Sequence, residues 1–302
     1  MYLVVGATGI LGSEICRLLT AEGKPVRGLV RATSDQAKVD KLKGYGAEIV
    51  HGDLRDRASL EAACQEVTAV ISTVSAMPRS YQPGENDIQT VDLDGLMNLI
   101  DAAKTAGVEH FVYTSFSGQI DLDFPLRNAK RAVEQRLKDS GLNYTILRPS
   151  FFMELWLGPT RFDVTNARAQ IYGTGDNPIS WISLQDVAQF AVASLDNPAA
   201  RNATLELGGP QALSQLQAVQ IFEEVGGRSF EVQHVPEAAL AEQQETATDP
   251  MQQTFAGLMR CYAQGDPIDM QKTLQAFPLE LTSVRDYAQG VYGPIPEHPP
   301  LN

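Results

Sequence analysis

Short apolar runs alternate with amphipathic stretches from the first residues onward. Tyr2 to Val5 is an apolar run, followed by glycines at 6, 9 and 12. A helical pattern then begins, with Ile15, Leu18 and Leu19 on one side and Ser13, Glu14 and Arg17 on the other. The rhythm repeats. Strands are predicted at Val26 to Val30, Ala47 to His51, Thr68 to Thr73 and Val108 to Thr114. Helices are predicted at Gln36 to Lys43, from Asp56 through Cys64 and at Val91 to Ala106, with residues 79 to 90 a polar loop between. Strand and helix in alternation imply a parallel sheet covered on both faces.

Pro125 opens a further helix whose apolar stripe is Leu126, Ala129, Val133 and Leu137. Lys130 lies on the flank of that stripe, one turn after Leu126. It either points toward the ends of the sheet or pairs with Glu134 four residues on. Tyr144 to Leu147 is a sixth strand. Beyond Arg148-Pro149 the pattern loosens: residues 154 to 170 are irregular. Strands are predicted at Pro178 to Ile182, Ala203 to Leu207 and Phe230 to His234. Helices are predicted at Val187 to Leu195, 214 to 225 and 252 to 263, and a Pro-rich tail spans 294 to 300. The fold class is α/β, a Rossmann-type doubly wound parallel sheet with a smaller, mostly helical C-terminal substrate region. Residues 1–150 plus 179–210 form the first part, and 151–178 plus 211–302 the second.

Strand, glycine turn and helix make the opening segment a candidate dinucleotide site, with Gly6, Thr8, Gly9, Ile10, Leu11 and Gly12 around the phosphates. Gly6 permits the tight turn, Gly9 lets a ligand approach the backbone, and Gly12 lets the helix pack on the strand. The helix N-terminus offers free N–H groups and partial positive charge to a pyrophosphate. Arg31, at the end of the second strand, accommodates a ribose 2′-phosphate where NAD binders place an acid. Ser34 adds a hydroxyl there; its alternative role is to cap the following helix. Asp53 and Leu54 stand at the height of the adenine, Asp53 otherwise capping the next turn. Val74, Ser75 and the small-residue loop to Pro78 suit a cofactor ribose. Thr114 ends the fifth strand. Pro149, Phe151 and Phe152 follow the sixth, the two aromatics walling a nicotinamide or else filling core.

Charge and cysteine content narrow the function classes. Lys and Arg total 24 against 37 Asp and Glu, a net charge of −13. That excess disfavours nonspecific binding to nucleic acid or an anionic membrane, so any phosphate site is local. Cys16, Cys64 and Cys261 are far apart and odd in number, which implies no disulfide scaffold, no metal site and a reducing compartment. The first apolar run, broken at Gly6, is too short for a signal core, and no run approaches the ~20 residues that cross a bilayer. The expectation is a cytoplasmic protein.

Taken together, several motifs resemble the NmrA-like group of atypical short-chain dehydrogenases, near the isoflavone and pinoresinol reductases and NADPH-sensing regulators. They are Gly6-Ala7-Thr8-Gly9-x-Leu11-Gly12, Arg31, Gly52-Asp53-Leu54, Tyr113-Thr114-Ser115 and Lys130-x-x-x-Glu134. Ser140-Gly141-Leu142-x-Tyr144-Thr145-x-Leu147-Arg148-Pro149 and Ile179-Ser180-Trp181-Ile182-Ser183-x-x-Asp186-Val187-Ala188 complete the set. The likeness covers residues 1 to about 230. It implies NADP(H) along the glycine turn, Arg31 on the 2′-phosphate, Lys130 near the nicotinamide and Ser115 orienting a substrate oxygen. The tyrosine that usually precedes the lysine by four residues is Leu126 here. In the reductase branch the lysine alone is held to serve as general acid/base, and Lys130 is the matching residue.

Two functions follow from that resemblance. One is an NADPH-dependent reductase passing hydride to a small, apolar or aromatic carbonyl, quinone or related substrate, with Lys130 and Ser115 in the catalytic roles. The other is an NADP(H)-binding sensor that signals to a protein partner. A sugar-nucleotide epimerase shares the glycine turn but needs the tyrosine. Phe151, Phe152, Trp156, Phe162, Phe255 and Met259 are the apolar candidates for a substrate pocket, each also a candidate for core.

Overall fold

The structure, a computed structural model, describes residues 1–77 and 80–293. The chain begins β1 (Tyr2–Val5), α1 (Ile10–Ala21), β2 (Val26–Val30), α2 (Gln36–Gly44), β3 (Glu48–His51), α3 (Arg57–Ala63) and β4 (Ala69–Ser72). Helical turns of π type, Ile88–Gly95, run into α4 (Leu96–Thr105), followed by β5 (His110–Thr114), α5 (Pro125–Asp139) and β6 (Asn143–Pro149). Then come α6 (Met153–Trp156), β7 (Phe162–Asp163), β8 (Arg168–Tyr172), β9 (Pro178–Ile179), α7 (Leu184–Asp196) and β10 (Ala203–Leu207). The remainder is β11 (Leu213–Ser214), α8 (Gln215–Gly226), β12 (Glu231–Val235), α9 (Glu237–Thr246), α10 (Pro250–Gln264), α11 (Gln271–Ala276) and α12 (Val284–Tyr292).

A seven-stranded sheet in the order β10-β6-β5-β4-β1-β2-β3 is the frame, as the strand–helix rhythm predicts. β1 pairs in parallel with both β2 and β4: Val5 lies opposite Leu29 on one side and Ser72 on the other. The chain leaves β1 toward β3 and returns to β4, so the order reverses at β1/β4, where open α/β sheets bind ligands. Buried side chains on one face, among them Leu3, Val5, Leu99, Phe111, Val133 and Ile146, form a continuous core under α3, α4 and α5. Leu54 and Val91 belong to the same cluster.

The junction of β1 and α1 depends on two glycines. Gly6 has φ +88°, a conformation that side chains with a Cβ rarely adopt. A Cβ on Gly12 would lie 2.3 Å from the Gly6 carbonyl oxygen. No other residue lets α1 start so close to the strand.

Chain contacts divide the molecule into two units: Met1–Phe116, Pro125–Arg148 and Val187–Leu205 in the first, and Ser117–Phe124, Pro149–Asp186 and the chain from Glu206 in the second. Residues 179–186, grouped with the sheet domain by sequence, fall in the second unit. There the Ser180 N–H donates to the Asp266 carbonyl (3.0 Å), and Ser180 Oγ accepts from the Ile268 N–H (2.9 Å). The second unit also contains order that the sequence pattern left irregular. β8 pairs in parallel with β12 and antiparallel with β7. The polar loop 79–90 is likewise shorter than expected, because Asp87 and Thr90 form a capping box that starts helical turns at Ile88. The Pro-rich tail and Pro78 lie outside the described residues.

The second unit holds a half-buried carboxylate with an altered titration. Glu154 accepts from the Leu184 N–H at the start of α7, at 3.0 and 3.1 Å. Burial, with the like charge of Asp186 behind it, pushes Glu154 up to about 7. The folded protein therefore binds a proton there that the unfolded chain has released, so stability falls as pH rises from the ordinary carboxylate range toward 7. Glu154→Gln keeps an acceptor for Leu184 and removes the titration. It is expected to raise the melting temperature by a few degrees at pH 8 and leave it unchanged at pH 4. Thermal melts at the two pH values check this.

Candidate functional site

The glycine turn, Arg31, Asp53 and Lys130 all belong to the first unit. Gly9 precedes α1 in an extended conformation with no side-chain cap. Its N–H donates to the Gly6 carbonyl (2.9 Å), and the first helical bond runs from Ser13 to Gly9 (2.9 Å). The N–H groups of Ile10, Leu11 and Gly12 are thus left without helical acceptors, at the positive end of the helix. Gly9 itself is exposed, with Thr8 and Ile10 half-buried beside it; the Leu11 side chain is core. This is the geometry a diphosphate requires.

Arg31 follows β2 and is held in place: its Nη1 donates to Asn86 Oδ1 at 2.7 Å. Ser34 Oγ accepts from the Arg31 N–H at 3.0 Å, so Ser34 shapes the turn that presents Arg31. It does not cap α2; Asp35 does, accepting from the Ala37 N–H at 2.8 Å. Asp53 caps the turn that follows it, the Asp56 N–H donating to its carbonyl (2.9 Å), and it does not stand unpaired. Its carboxylate accepts from the Arg55 N–H, Nε and Nη2 at 2.9, 2.9 and 2.7 Å, while Asp56 caps α3. Those bonds hold Asp53 below the usual carboxylate range, and the charge of Arg31 adds to the effect. Leu54 is 6% exposed and packs in the core against Gly95, where an added Cβ on the glycine would lie 2.7 Å from the Leu54 Cβ. Val74 is half-buried against the same core, and Ser75 Oγ accepts from the Met77 N–H (3.2 Å) within the loop after β4.

Lys130 is buried. Its ammonium donates to the Thr114 carbonyl at the end of β5 (3.2 Å) and lies over the rings of Phe116 (4.9 Å) and Tyr113 (5.4 Å). Burial pulls its pKa below the ordinary lysine value, and the charges of Asp92 and Glu134 oppose that pull. The Lys130–Glu134 ion pair that their spacing allows does not form. Glu134 instead accepts from Arg131 Nη1 (2.7 Å), from the Arg148 guanidinium and from Ser115 Oγ. The Ser115 hydroxyl hydrogen is therefore committed to Glu134 and not offered to a substrate oxygen. Burial would raise Glu134, but its bonds to Arg148 and Ser115 and the charge of Arg131 outweigh it, and the carboxyl lies below its usual range.

Sequence reasoning missed Asp92. It is fully buried in the π-type turns, accepts from the Ala76 N–H in the loop after β4 (3.0 Å), and faces Lys130 electrostatically. Burial pushes its carboxyl up, and Lys130 pulls it back down. The signal was an aspartate among the core positions Ile88, Val91 and Leu96. A π-type irregularity inside a helix frequently marks a functional site.

In the second unit, Pro149 accepts through its carbonyl from the Ser117 N–H (3.0 Å). Phe151 is core, edge-on to Trp156 (4.7 Å) and Tyr262 (4.9 Å), and Trp156 stacks on Tyr262 (4.5 Å). Phe162 packs on Phe222 (5.1 Å). Of the apolar pocket candidates, Phe152, Phe255 and Met259 stay half-buried. Among the described residues no cluster of His, Cys, Asp and Glu could hold a metal, and no helix is long and apolar enough to cross a membrane. The three cysteines are buried and unpaired.

A reversed-order parallel sheet with an uncapped helix after its glycine turn defines a Rossmann-type α/β protein. The chain belongs to the NmrA-like family, whose model matches residues 2–288. It is 34% identical over 231 residues to an NAD(P)H azoreductase of Xenophilus azovorans, covering 76% of this chain and 74% of the relative. It is 31% identical over 236 residues to the photosystem II assembly factor Ycf39 of Trieres chinensis, covering 78% of this chain and 72% of that protein. Its fold matches that of an NADPH-dependent quinone oxidoreductase from Escherichia coli, solved with NADPH. The TM-score is 0.78 at 23% identity, over 97% of this chain and 100% of the other.

Glu134 balances two arginines in a largely buried setting, so Glu134→Gln should be costly. A loss of ~2–4 kcal/mol in urea unfolding is expected, since two guanidinium groups lose their counter-charge together. A loss within ~0.5 kcal/mol would show the network to be a surface-like pair.

Proposed function

We propose that the protein is an NADPH-dependent reductase acting on a small, apolar or aromatic carbonyl, quinone or related substrate. The observation that carries the reading is Lys130: a buried ammonium on the Thr114 carbonyl, at the same sheet edge as the uncapped glycine turn. NADP(H) fits the residues present. The first-turn N–H groups of α1 would hold the diphosphate, and Arg31, steadied by Asn86, would take the 2′-phosphate. Bound there, NADPH supplies the hydride. Lys130 holds a proton at the end of β5, and its lowered pKa suits it to give that proton to a developing oxyanion. The names of the azoreductase relative and the quinone oxidoreductase neighbour support this class of reaction.

A second reading, an NADP(H)-binding regulator with a protein partner, has its own support. Leu126 replaces the usual tyrosine and is buried, and the Ser115 hydroxyl is committed to Glu134. The assembly-factor relatives are named for a role in building a complex.

The two readings separate in one set of measurements. Fluorescence titration is expected to show tighter binding of NADPH than NADH. Steady NADPH oxidation well above background is expected with at least one of a naphthoquinone, an enone and an azo dye. Lys130→Met is expected to lower that rate by about 10²-fold or more while NADPH affinity stays within a few-fold. Tight NADPH binding with background turnover on every substrate favours the regulator. Binding of neither nucleotide overturns both.

A further inference from the structure

Arg31 and Asp53 stand close to each other at the ends of adjacent strands. Val30 and His51 are register partners in β2 and β3; Arg31 follows the first directly and Asp53 comes two residues after the second. A carboxylate one strand over from the residue that takes a 2′-phosphate repels that phosphate. An unpaired Asp53 would also draw the Arg31 guanidinium toward itself. Neither occurs, because a second arginine occupies the carboxylate. Arg55 binds both oxygens of Asp53 through its Nε (2.9 Å) and Nη2 (2.7 Å) and adds its own backbone N–H (2.9 Å). Its remaining arm, Nη1, donates to the Glu85 carbonyl at 2.8 Å. The next residue, Asn86, takes Nη1 of Arg31 at 2.7 Å. Two arginines thus grip consecutive residues of one loop; Arg55 hydrogen-bonds Asp53, while Arg31 acts on it only through its charge.

We propose that Arg55 is a specificity-determining residue for NADP(H) over NAD(H): by pairing with Asp53 it cancels the repulsion of a 2′-phosphate and leaves the Arg31 guanidinium available to it. This inference rests on the NADP(H) reading above. Arg55 acts here through Asp53 and not on the phosphate.

Fluorescence titration of NADPH and NADH into the wild type, Arg55→Gln, Asp53→Asn and the double variant tests it. Arg55→Gln is expected to weaken NADPH binding about fivefold or more, with NADH within about twofold, which also reports an intact fold. Asp53→Asn alone should bind NADPH as tightly as the wild type or tighter. The double variant should regain wild-type NADPH affinity to within about twofold, since with no carboxylate there is nothing to cancel. The selectivity lost in Arg55→Gln should shrink as ionic strength rises. An unchanged NADPH/NADH ratio in Arg55→Gln overturns the proposal. So does a double variant as weak as Arg55→Gln, which would place Arg55 on the phosphate itself. Arg31→Ala separates the two levels. If the wild type shows no NADPH preference, or Arg31→Ala keeps it, the NADP(H) reading fails and this inference with it. If Arg31→Ala loses the preference and Arg55→Gln does not, this inference alone fails.

Discussion

The approach of Gly12 to the Gly6 carbonyl is the constraint on which the site depends. Because α1 begins within van der Waals reach of the turn that ends β1, its first N–H groups open at the sheet edge and not over its face. β1 is the strand from which the order runs both ways, so this edge is also where the loops after β1 and β4 diverge. A helix started one turn later would leave the edge open but remove its donors.

Electrostatics at this edge runs against the character of the chain. A protein with a net charge of −13 gains little from long-range attraction of an anion. Its cations therefore act at short range and in fixed directions: Arg31 tied to Asn86, Arg55 to Asp53 and Lys130 to a carbonyl. Burying Lys130 costs solvation that one 3.2 Å hydrogen bond does not offset. Asp92 and Glu134 offset part of it at longer range, and the faces of Tyr113 and Phe116 add to that.

The sheet and its helices were legible because each segment announces its own period. Val26 to Val30 is apolar but for Arg27, whose guanidinium reaches Glu48 on the next strand, and α5 carries its stripe at 126, 129, 133 and 137. β8 was not legible. Its alternation, exposed Arg168 and half-buried Gln170 against buried Ala169 and Ile171, is short, and its partner β12 lies some sixty residues on. The candidate site divides along the same line. The glycine turn and the place of Arg31 were readable, because local backbone and strand order decide where they stand. Ser115 was assigned from the resemblance and Asp53 and Leu54 from position, whereas partners set their contacts: Glu134 and Arg131 for the first, Arg55 for the second, the Gly95 approach for the third. Asp92 drew no reading from the sequence, yet it is fully buried in the π-type turns.

Binding and chemistry are carried by different kinds of group in this chain. The groups that fit a dinucleotide are backbone N–H donors and one arginine, whose geometry the fold sets whatever the reaction. The group that fits proton transfer is a single lysine, with no phenol four residues before it and a serine whose hydrogen is engaged elsewhere. Family members built this way can keep the first set intact while the second drifts, because nothing in the glycine turn touches α5 chemistry directly. That separation allows a protein named as an azoreductase and one named as an assembly factor both to be similar to this chain. It also makes Lys130, more than any feature of the nucleotide frame, the residue on which the choice between the two functions turns.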